Sequence, residues 1–277
     1  EFYEELKRLN IKIIRPDINK CYADFRSSND NFYYALGAVK NVGLEAVTNI
    51  IEEREKNGVF KSINDFINRV NPKDINKLQL EGLVKAGVFD DITNNRQSIY
   101  NSIPNLILKS KNIFENKIAN QIDLFTNNNE KEENFLEKID DWQFEERLSK
   151  EFESVGFFIS DHPLNQFKEI FDEYKIINFS DFNINKDIND SNVAATLLKI
   201  QEKKTQKGNS YAIIKCTDLS SVFELFIFSD TLDLNRELLV EGNSLIITLT
   251  KNINDEENRF KRINVKKIVG MKNLLNS

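Results

Sequence analysis

The sequence is poor in the side chains from which most catalytic and metal sites are built. Its 277 residues include two cysteines and one histidine. Cys21 and Cys216 belong to no CxxC pair or ligand cluster, so we expect buried free thiols in a reducing compartment. His162 has no nucleophile or carboxylate arrangement around it in sequence, which favours a structural or capping role. We find neither a P-loop nor an aspartate triad for two-metal phosphoryl transfer, and we assign no catalytic, metal or cofactor site.

Long apolar runs are also missing. No apolar stretch reaches the roughly 18 residues that a transmembrane helix needs, so a membrane is not an expected partner. The chain begins at Glu1 and its one methionine is Met271, so we expect a fragment of a longer protein, in which no targeting signal can be read. The cysteine usage predicts a cytoplasmic location.

The net charge of -6 is unevenly distributed. Residues 111–160 contain 6 Lys and Arg against 12 Asp and Glu, whereas residues 193–277 contain 13 against 10. Because phosphate contacts need only local positive potential, the negative total does not exclude nucleic-acid binding.

Two similar units are predicted in the first 110 residues. In the first, a hairpin turn closed by Gly43 leads into a helix over the following residues. Unpaired amides at the start of a helix and the helix dipole both favour an anion, and Lys40 adds charge. Spacing alone favours an ordinary helix-turn-helix connection with Gly43 as a turn residue, and a second copy of the pattern changes this balance.

The second unit has a periodic helix over residues 74–85, a turn over residues 86–89 and a helix that restarts near Asn95 and Arg96. Tandem helix-hairpin-helix units hold a duplex backbone without reading bases. The residues predicted to contact duplex DNA are Lys40, Asn41, Val42, Gly43, Lys85, Gly87, Asn95 and Arg96.

An apolar hook over residues 121–125 interrupts the polar middle of the chain. The polar run over residues 126–133 follows it at once and cannot contribute to a core. Leu124 and Phe125 are therefore expected where a partner reaches them. The alternative is that the two side chains close the core of the preceding domain. Trp142, further on, is expected to pack in a core.

From residue 193 the hydrophobic period changes to two. The candidate strands are residues 193–200, 211–217, 222–228, 245–250 and 259–267, with a helix near residues 232–239. Five short strands with a helix after the third are typical of an OB-fold β-barrel.

A basic loop over residues 203–210 joins the first two of these strands and is suited to following a single nucleic-acid strand. Phe226 and Phe228 share one parity while Phe223 and Leu225 share the other, so one pair is expected to be buried. The residues predicted to contact single-stranded DNA are Lys203, Lys204, Lys207, Tyr211 and Phe223. A purely protein-docking role is the alternative.

Several segments carry a family resemblance: residues 15–19 (RPDIN), 22–25 (YADF), 36–43 (LGAVKNVG), 58–62 (GVFKS) and 83–90 (LVKAGVFD). In this order they resemble the region after the catalytic core in the alpha subunit of bacterial replicative DNA polymerase III, DnaE type. The first hairpin departs from the usual Gly-hydrophobic-Gly, because Asn41 replaces the first glycine. Asparagine tolerates the left-handed conformation, so the turn is expected to survive. The departure makes the second unit the better candidate for a phosphate contact.

The resemblance implies that the tandem hairpins contact the duplex leaving the active site. It also implies that Gln121, Asp123, Leu124 and Phe125 form the internal motif that binds the sliding clamp. The parent would be a DNA-directed DNA polymerase, a nucleotidyltransferase of DNA replication, whose catalytic aspartates and Mg²⁺ lie upstream of Glu1. Clamp-loader and proofreading subunits are further implied partners, in the bacterial cytoplasm.

The predicted fold class is therefore α+β and multidomain. The expected parts are residues 1–30, the end of a fingers-like region; 31–110, the tandem hairpin module; 111–135, a linker with the clamp-binding motif; 136–190, a helical connector; and 191–277, the OB-fold. A DNA repair or recombination scaffold with the same modules and a purely protein-docking module are the alternatives.

Overall fold

The protein is described by a computed structural model that covers residue 9 and residues 11–118, 136–251 and 263–274. The chain forms two compact units, Leu6–Ser160 and Asp161–Ser277. The segment expected as a connector, residues 136–190, is thus divided between them. No helix in the described ranges has the length and hydropathy needed to cross a bilayer.

The first unit begins with a small sheet. Its strands are β1 (Lys12–Ile14), β2 (Arg26–Ser28) and β3 (Asn31–Tyr33), and β3 lies in the middle, parallel to β1 and antiparallel to β2. The turn between β2 and β3 uses Asn29 and Asp30 at φ 48° and 60°, which asparagine and aspartate adopt more readily than most residues. Each of these strands has three residues, which is too short to show a hydrophobic period in the sequence.

Helices make up the rest of this unit. They are α1 (Leu44–Asn57), α2 (Ile63–Arg69), α3 (Lys77–Lys85), α4 (Arg96–Ile118) and α5 (Phe144–Val155). Val47, Ile50 and Ile51 of α1 are buried together, as their spacing predicts. Trp142 is 7% exposed and belongs to the same core, so its predicted packing role is confirmed.

A buried arginine connects the second hairpin to the helices around it. Arg96, the first residue of α4, is 2% exposed, and its guanidinium lies 2.7 Å from a carboxylate oxygen of Asp90 and 3.4 Å from Glu151. It also donates to the carbonyl of Lys85 at 3.0 Å. Burial acts to lower the pKa of Arg96, but the bonds to Asp90 and Glu151 outweigh it and the pKa is raised. The guanidinium therefore stays charged in the interior.

Glu151 extends this cluster to the end of the unit. Its side chain is fully buried, and its Oε1 accepts from the backbone N–H groups of Ile159 and Ser160, both at 2.7 Å. Three residues further along α5, the carbonyl of Ser154 accepts from the N–H of Lys40 at 2.9 Å. Both hairpins are thus attached to α5.

The second unit contains a five-stranded antiparallel sheet. Its strands are β4 (Asp190–Lys204), β5 (Ser210–Thr217), β6 (Val222–Phe228), β7 (Ser244–Lys251) and β8 (Ile263–Gly270), in the order β6-β5-β4-β7-β8. Helix α7 (Ser229–Asn235) lies between the third and fourth of these strands, and the short α6 (Phe179–Ile184) precedes the sheet. The predicted helical module followed by an OB-like sheet is confirmed. The described strands do not close into a barrel, because no ladder joins β6 to β8.

The sparse residue types take structural roles. Cys21 and Cys216 are fully buried free thiols, as predicted, and burial raises their pKa to about 11 and about 12. The Nδ1 atom of His162 accepts from the N–H of Leu164 at 3.1 Å, which confirms the predicted capping role.

Replacing Glu151 with alanine should lower the free energy of unfolding by about 3 kcal/mol or more, because Arg96 then keeps only part of its charge compensation inside the core. Glu153→Ala on the same helix is the matched control. Its carboxylate pairs with Lys85 but is 55% exposed, so its loss should cost less than about 1 kcal/mol. Urea unfolding followed by the fluorescence of Trp142 measures both values. Equal destabilisation by the two variants would contradict the structural importance of Glu151.

Candidate nucleic-acid interface

The first hairpin takes its shape from Asn41. A 3-10 turn over Leu36–Ala38 precedes it, and the N–H of Val42 donates to the carbonyl of Val39 at 3.1 Å. Asn41 has φ 66°, so the expectation that asparagine supports the left-handed conformation here is confirmed. Gly43 has φ -77°, which any residue adopts, so this glycine is not required for the turn conformation.

The start of α1 is open to an acceptor. Gly43 occupies the N-cap position and has no side chain to cap the helix. Among the described residues, the N–H groups of Leu44, Glu45 and Ala46 have no hydrogen-bond acceptor. Lys40 and Asn41 are exposed beside them. Unpaired N–H groups, the positive end of the dipole of a 14-residue helix and a lysine together favour an anion.

Tight packing holds this hairpin against α3. A Cβ atom at Gly82 would lie 2.5 Å from the carbonyl oxygen of Lys40. Only glycine fits at this crossing, because any side chain would push the hairpin away from α3. The open end of α1 therefore has a rigid support.

The second hairpin is closed by the protein's own acceptors. The N–H of Gln97 donates to Oδ1 of Asp141 at 3.0 Å, and the N–H of Ser98 donates to Oδ1 of Asn95 at 2.8 Å. An anionic carboxylate thus already lies at the start of α4. We expected the second hairpin to be the better candidate for a phosphate contact. This geometry favours the first hairpin instead.

The four residues predicted at the second hairpin are used inside the unit. Lys85 pairs with Glu153 at 3.0 Å and Arg96 is buried. Gly87 is buried at φ 75°, and a Cβ atom there would collide with the guanidinium of Arg96. The side-chain amide of Asn95 donates to the carbonyl of Ile139 at 2.5 Å. We therefore correct their assignment, because Arg96 and Gly87 are buried and the side chains of Lys85 and Asn95 are engaged in contacts inside the unit.

The prediction that Phe223, in the sheet-containing unit, contacts single-stranded DNA is also corrected. Phe223 is 7% exposed and stacks on Phe179, with ring centroids 3.9 Å apart and an interplanar angle of 6°. It is therefore a core residue and has no face for a base. Lys203, Lys204 and Lys207 are exposed, and Tyr211 is half-buried.

The residues of β6 that alternate with Phe223 and Leu225 face outward, and two of them are aromatic. Phe226 and Phe228 are 48% and 44% exposed. In the strand register Phe228 lies opposite Tyr211, and Tyr211 lies opposite Lys203, so these three share one face. The sequence predicts that either Phe226 and Phe228 or Phe223 and Leu225 are buried, but periodicity alone does not say which face meets the core.

The apolar hook lies outside the described residues, so Gln121, Asp123, Leu124 and Phe125 have no structural description. Helix α4 ends at Ile118, and the described chain resumes at Leu136. Across the described ranges, no group of three or more His, Cys, Asp or Glu side chains is placed to hold a metal ion.

Comparison with known proteins agrees with the hairpin architecture. A family model described as a helix-hairpin-helix motif matches residues 10–99, which indicates DNA binding. The chain is 30% identical to the DNA polymerase III subunit alpha of Borreliella burgdorferi over 99% of its own length and 24% of that protein. It is 28% identical to the same subunit of Caulobacter vibrioides, over 94% of the chain and 23% of the relative. It is 33% identical to the same subunit of Rickettsia conorii, over 80% of the chain and 19% of the relative.

The chain spans between about a fifth and a quarter of the length of these relatives. The matched family model covers the two hairpins described above, and the relatives extend the similarity through the OB-like sheet. The resemblance seen in the sequence is therefore confirmed: over most of its length the chain is similar to part of bacterial DNA polymerase III alpha subunits.

Proposed function

We propose that this chain is the non-catalytic C-terminal part of a replicative DNA-directed DNA polymerase of the bacterial cytoplasm, and that it holds the polymerase on DNA. The observation that carries the proposal is the open start of α1 beside Lys40, in a chain similar to polymerase III alpha subunits over nearly its whole length. The nucleotidyl transfer, with its Mg²⁺ ions, belongs to the part of the parent protein upstream of Glu1.

The first hairpin contacts the duplex through its backbone. A phosphate oxygen accepts from the unpaired N–H groups of Leu44, Glu45 and Ala46, and Lys40 neutralises the charge. Backbone amides make the same contact whatever the base sequence. A replicative enzyme needs this property, because it must move along every sequence.

Residues 121–125 bind the sliding clamp. The amide of Gln121 occupies a small polar pocket, while Leu124 and Phe125 fill a hydrophobic one. Burial of two such side chains is worth roughly 3 to 6 kcal/mol, part of which is offset by ordering the segment. Attachment of the same chain to DNA raises the local concentration of the clamp, so a weak contact suffices. Clamp-loader and proofreading subunits of the holoenzyme are further partners.

The OB-like sheet contacts single-stranded template. Its outward face carries Lys203, Tyr211 and Phe228 in one cross-strand row, and Ile213 and Phe226 in the next. Bases stack on the exposed rings while the lysines contact phosphates. Lys204 and Lys207 add positive charge at the β4–β5 turn.

Replacing Lys40 with alanine should weaken binding to a random-sequence duplex several-fold. The slope of log K against log salt should become shallower by about 0.9, the value expected for a single neutralised phosphate. Lys56→Ala, at the opposite end of α1, is the matched control and should change neither quantity. Fluorescence anisotropy over a salt series checks both. If the two variants behave alike, Lys40 does not contact phosphate.

The combined change Gln121→Ala, Leu124→Ala and Phe125→Ala should weaken binding to the purified sliding clamp at least about 100-fold, because it removes two buried apolar anchors. The control replaces Asn127, Asn128 and Asn129 with alanine and should leave the affinity unchanged. Surface plasmon resonance with immobilised clamp measures both variants. An unaltered affinity of the first variant would remove the clamp hypothesis.

Replacing Phe226 with alanine should weaken binding to single-stranded DNA about tenfold, the typical effect of removing one base-stacking ring. Leu234→Ala is the control, since Leu234 is 85% exposed on α7 and lies outside the proposed face. The double variant Lys203→Ala and Lys207→Ala should reduce the salt slope by about 0.7 for each phosphate that is no longer neutralised. A wild-type affinity that does not respond to salt would argue against phosphate contact by this unit.

A further inference from the structure

Gln79 is held in one orientation by the start of α3. Its Oε1 accepts from the N–H of Asn76 at 3.2 Å, and Oδ1 of Asn76 accepts from the N–H of Gln79 at 3.0 Å. This reciprocal pair is a capping box. Because Oε1 is the acceptor, the opposite end of the side-chain amide, Nε2, carries the donors. Gln79 as a whole residue is 7% exposed.

The donor end of Gln79 points at the open start of α1. A Cβ atom at Gly43 would lie 3.3 Å from Nε2 of Gln79. Within the described part of the chain, Nε2 has no acceptor. Nε2 is not one of the described side-chain atoms that are buried without a partner, so it is accessible to an external oxygen, and it lies beside the partly positive N–H groups of another helix. Donors from two helices therefore converge where no acceptor is present.

The position of the missing acceptor follows from helix capping. An N-cap side chain places its oxygen where it accepts from the second or third N–H of the helix. Gly43 has no such side chain, and Gln79 lies on the side from which a Cβ atom would project. At the second hairpin the same role is filled internally, by Asp141 and Asn95. At the first hairpin no described residue fills it, so the position is open to an oxygen from water or from a ligand.

We infer that Nε2 of Gln79 donates to the same DNA phosphate group that the start of α1 binds. The inference rests on the proposed duplex contact and adds to it a ligand from a different helix. It also gives a reason for glycine at residue 43, where φ is -77° and the conformation needs none. A larger residue there would crowd Nε2 and place its own atoms in the phosphate position.

The test uses Gln79→Glu in the 277-residue chain. Glutamate is the usual partner in a capping box, so it keeps an acceptor for the N–H of Asn76 and preserves α3. It replaces the donor with a negative charge facing the phosphate. We expect at least tenfold weaker binding to a random-sequence duplex by fluorescence anisotropy, with an unchanged thermal unfolding midpoint. Gln143→Glu, an exposed N-cap residue of α5, makes the same charge change and should alter binding less than twofold.

A second variant, Gln79→Met, removes the donor without adding charge. We expect binding about fivefold weaker with an unchanged salt slope, because a neutral donor displaces no counterion. A purely structural role for Gln79 would leave the affinity of Gln79→Glu equal to that of Gln143→Glu, and this result would overturn the inference. If Lys40→Ala also binds as wild type does, the proposed duplex contact itself fails. If Lys40→Ala alone weakens binding, only the role of Gln79 is wrong.

Discussion

The buried guanidinium of Arg96 is the contact on which the hairpin unit depends. A charge in the interior is stable only while its partners remain in place, and here they are Asp90 from the second hairpin and Glu151 from α5. From Glu151 the support continues one turn along α5 to Ser154, whose carbonyl holds the backbone of Lys40. The geometry of the open first hairpin therefore depends on the ion pairs of the closed second one.

Two hairpins of similar sequence pattern have thus taken different roles. At the second, Asp141 and Asn95 accept from the N–H groups of Gln97 and Ser98, so this start of a helix is closed by the protein's own acceptors. At the first, Gly43 provides no cap and the amides of α1 have no acceptor among the described residues. The two hairpins differ in whether the protein supplies hydrogen-bond acceptors for the N–H groups at the start of the following helix. In the proposed duplex contact, the open hairpin holds the phosphate and the closed hairpin fixes its position.

The second unit shows the same division between packing and contact within one strand. Alternate residues of β6 face opposite sides, so Phe223 packs against Phe179 while Phe226 and Phe228 face outward. The strand order and the helix after the third strand agree with the OB-like architecture. A face with exposed rings beside lysines suits a flexible single strand, since stacking and phosphate contact both tolerate any base sequence.

The sequence by itself determined the features that depend on near neighbours. Helix and strand periods, the restart of a helix at Arg96, the left-handed Asn41 and the capping role of His162 all follow from interactions within a few residues. Part of the site, Lys40 and the amides after Gly43, was predictable for the same reason. Only the tertiary structure decided which residues the ends of long side chains contact. Arg96 meets Glu151 55 residues away, and Gln79 meets Gly43 across two helices, because such contacts depend on how the helices pack and no local pattern records that.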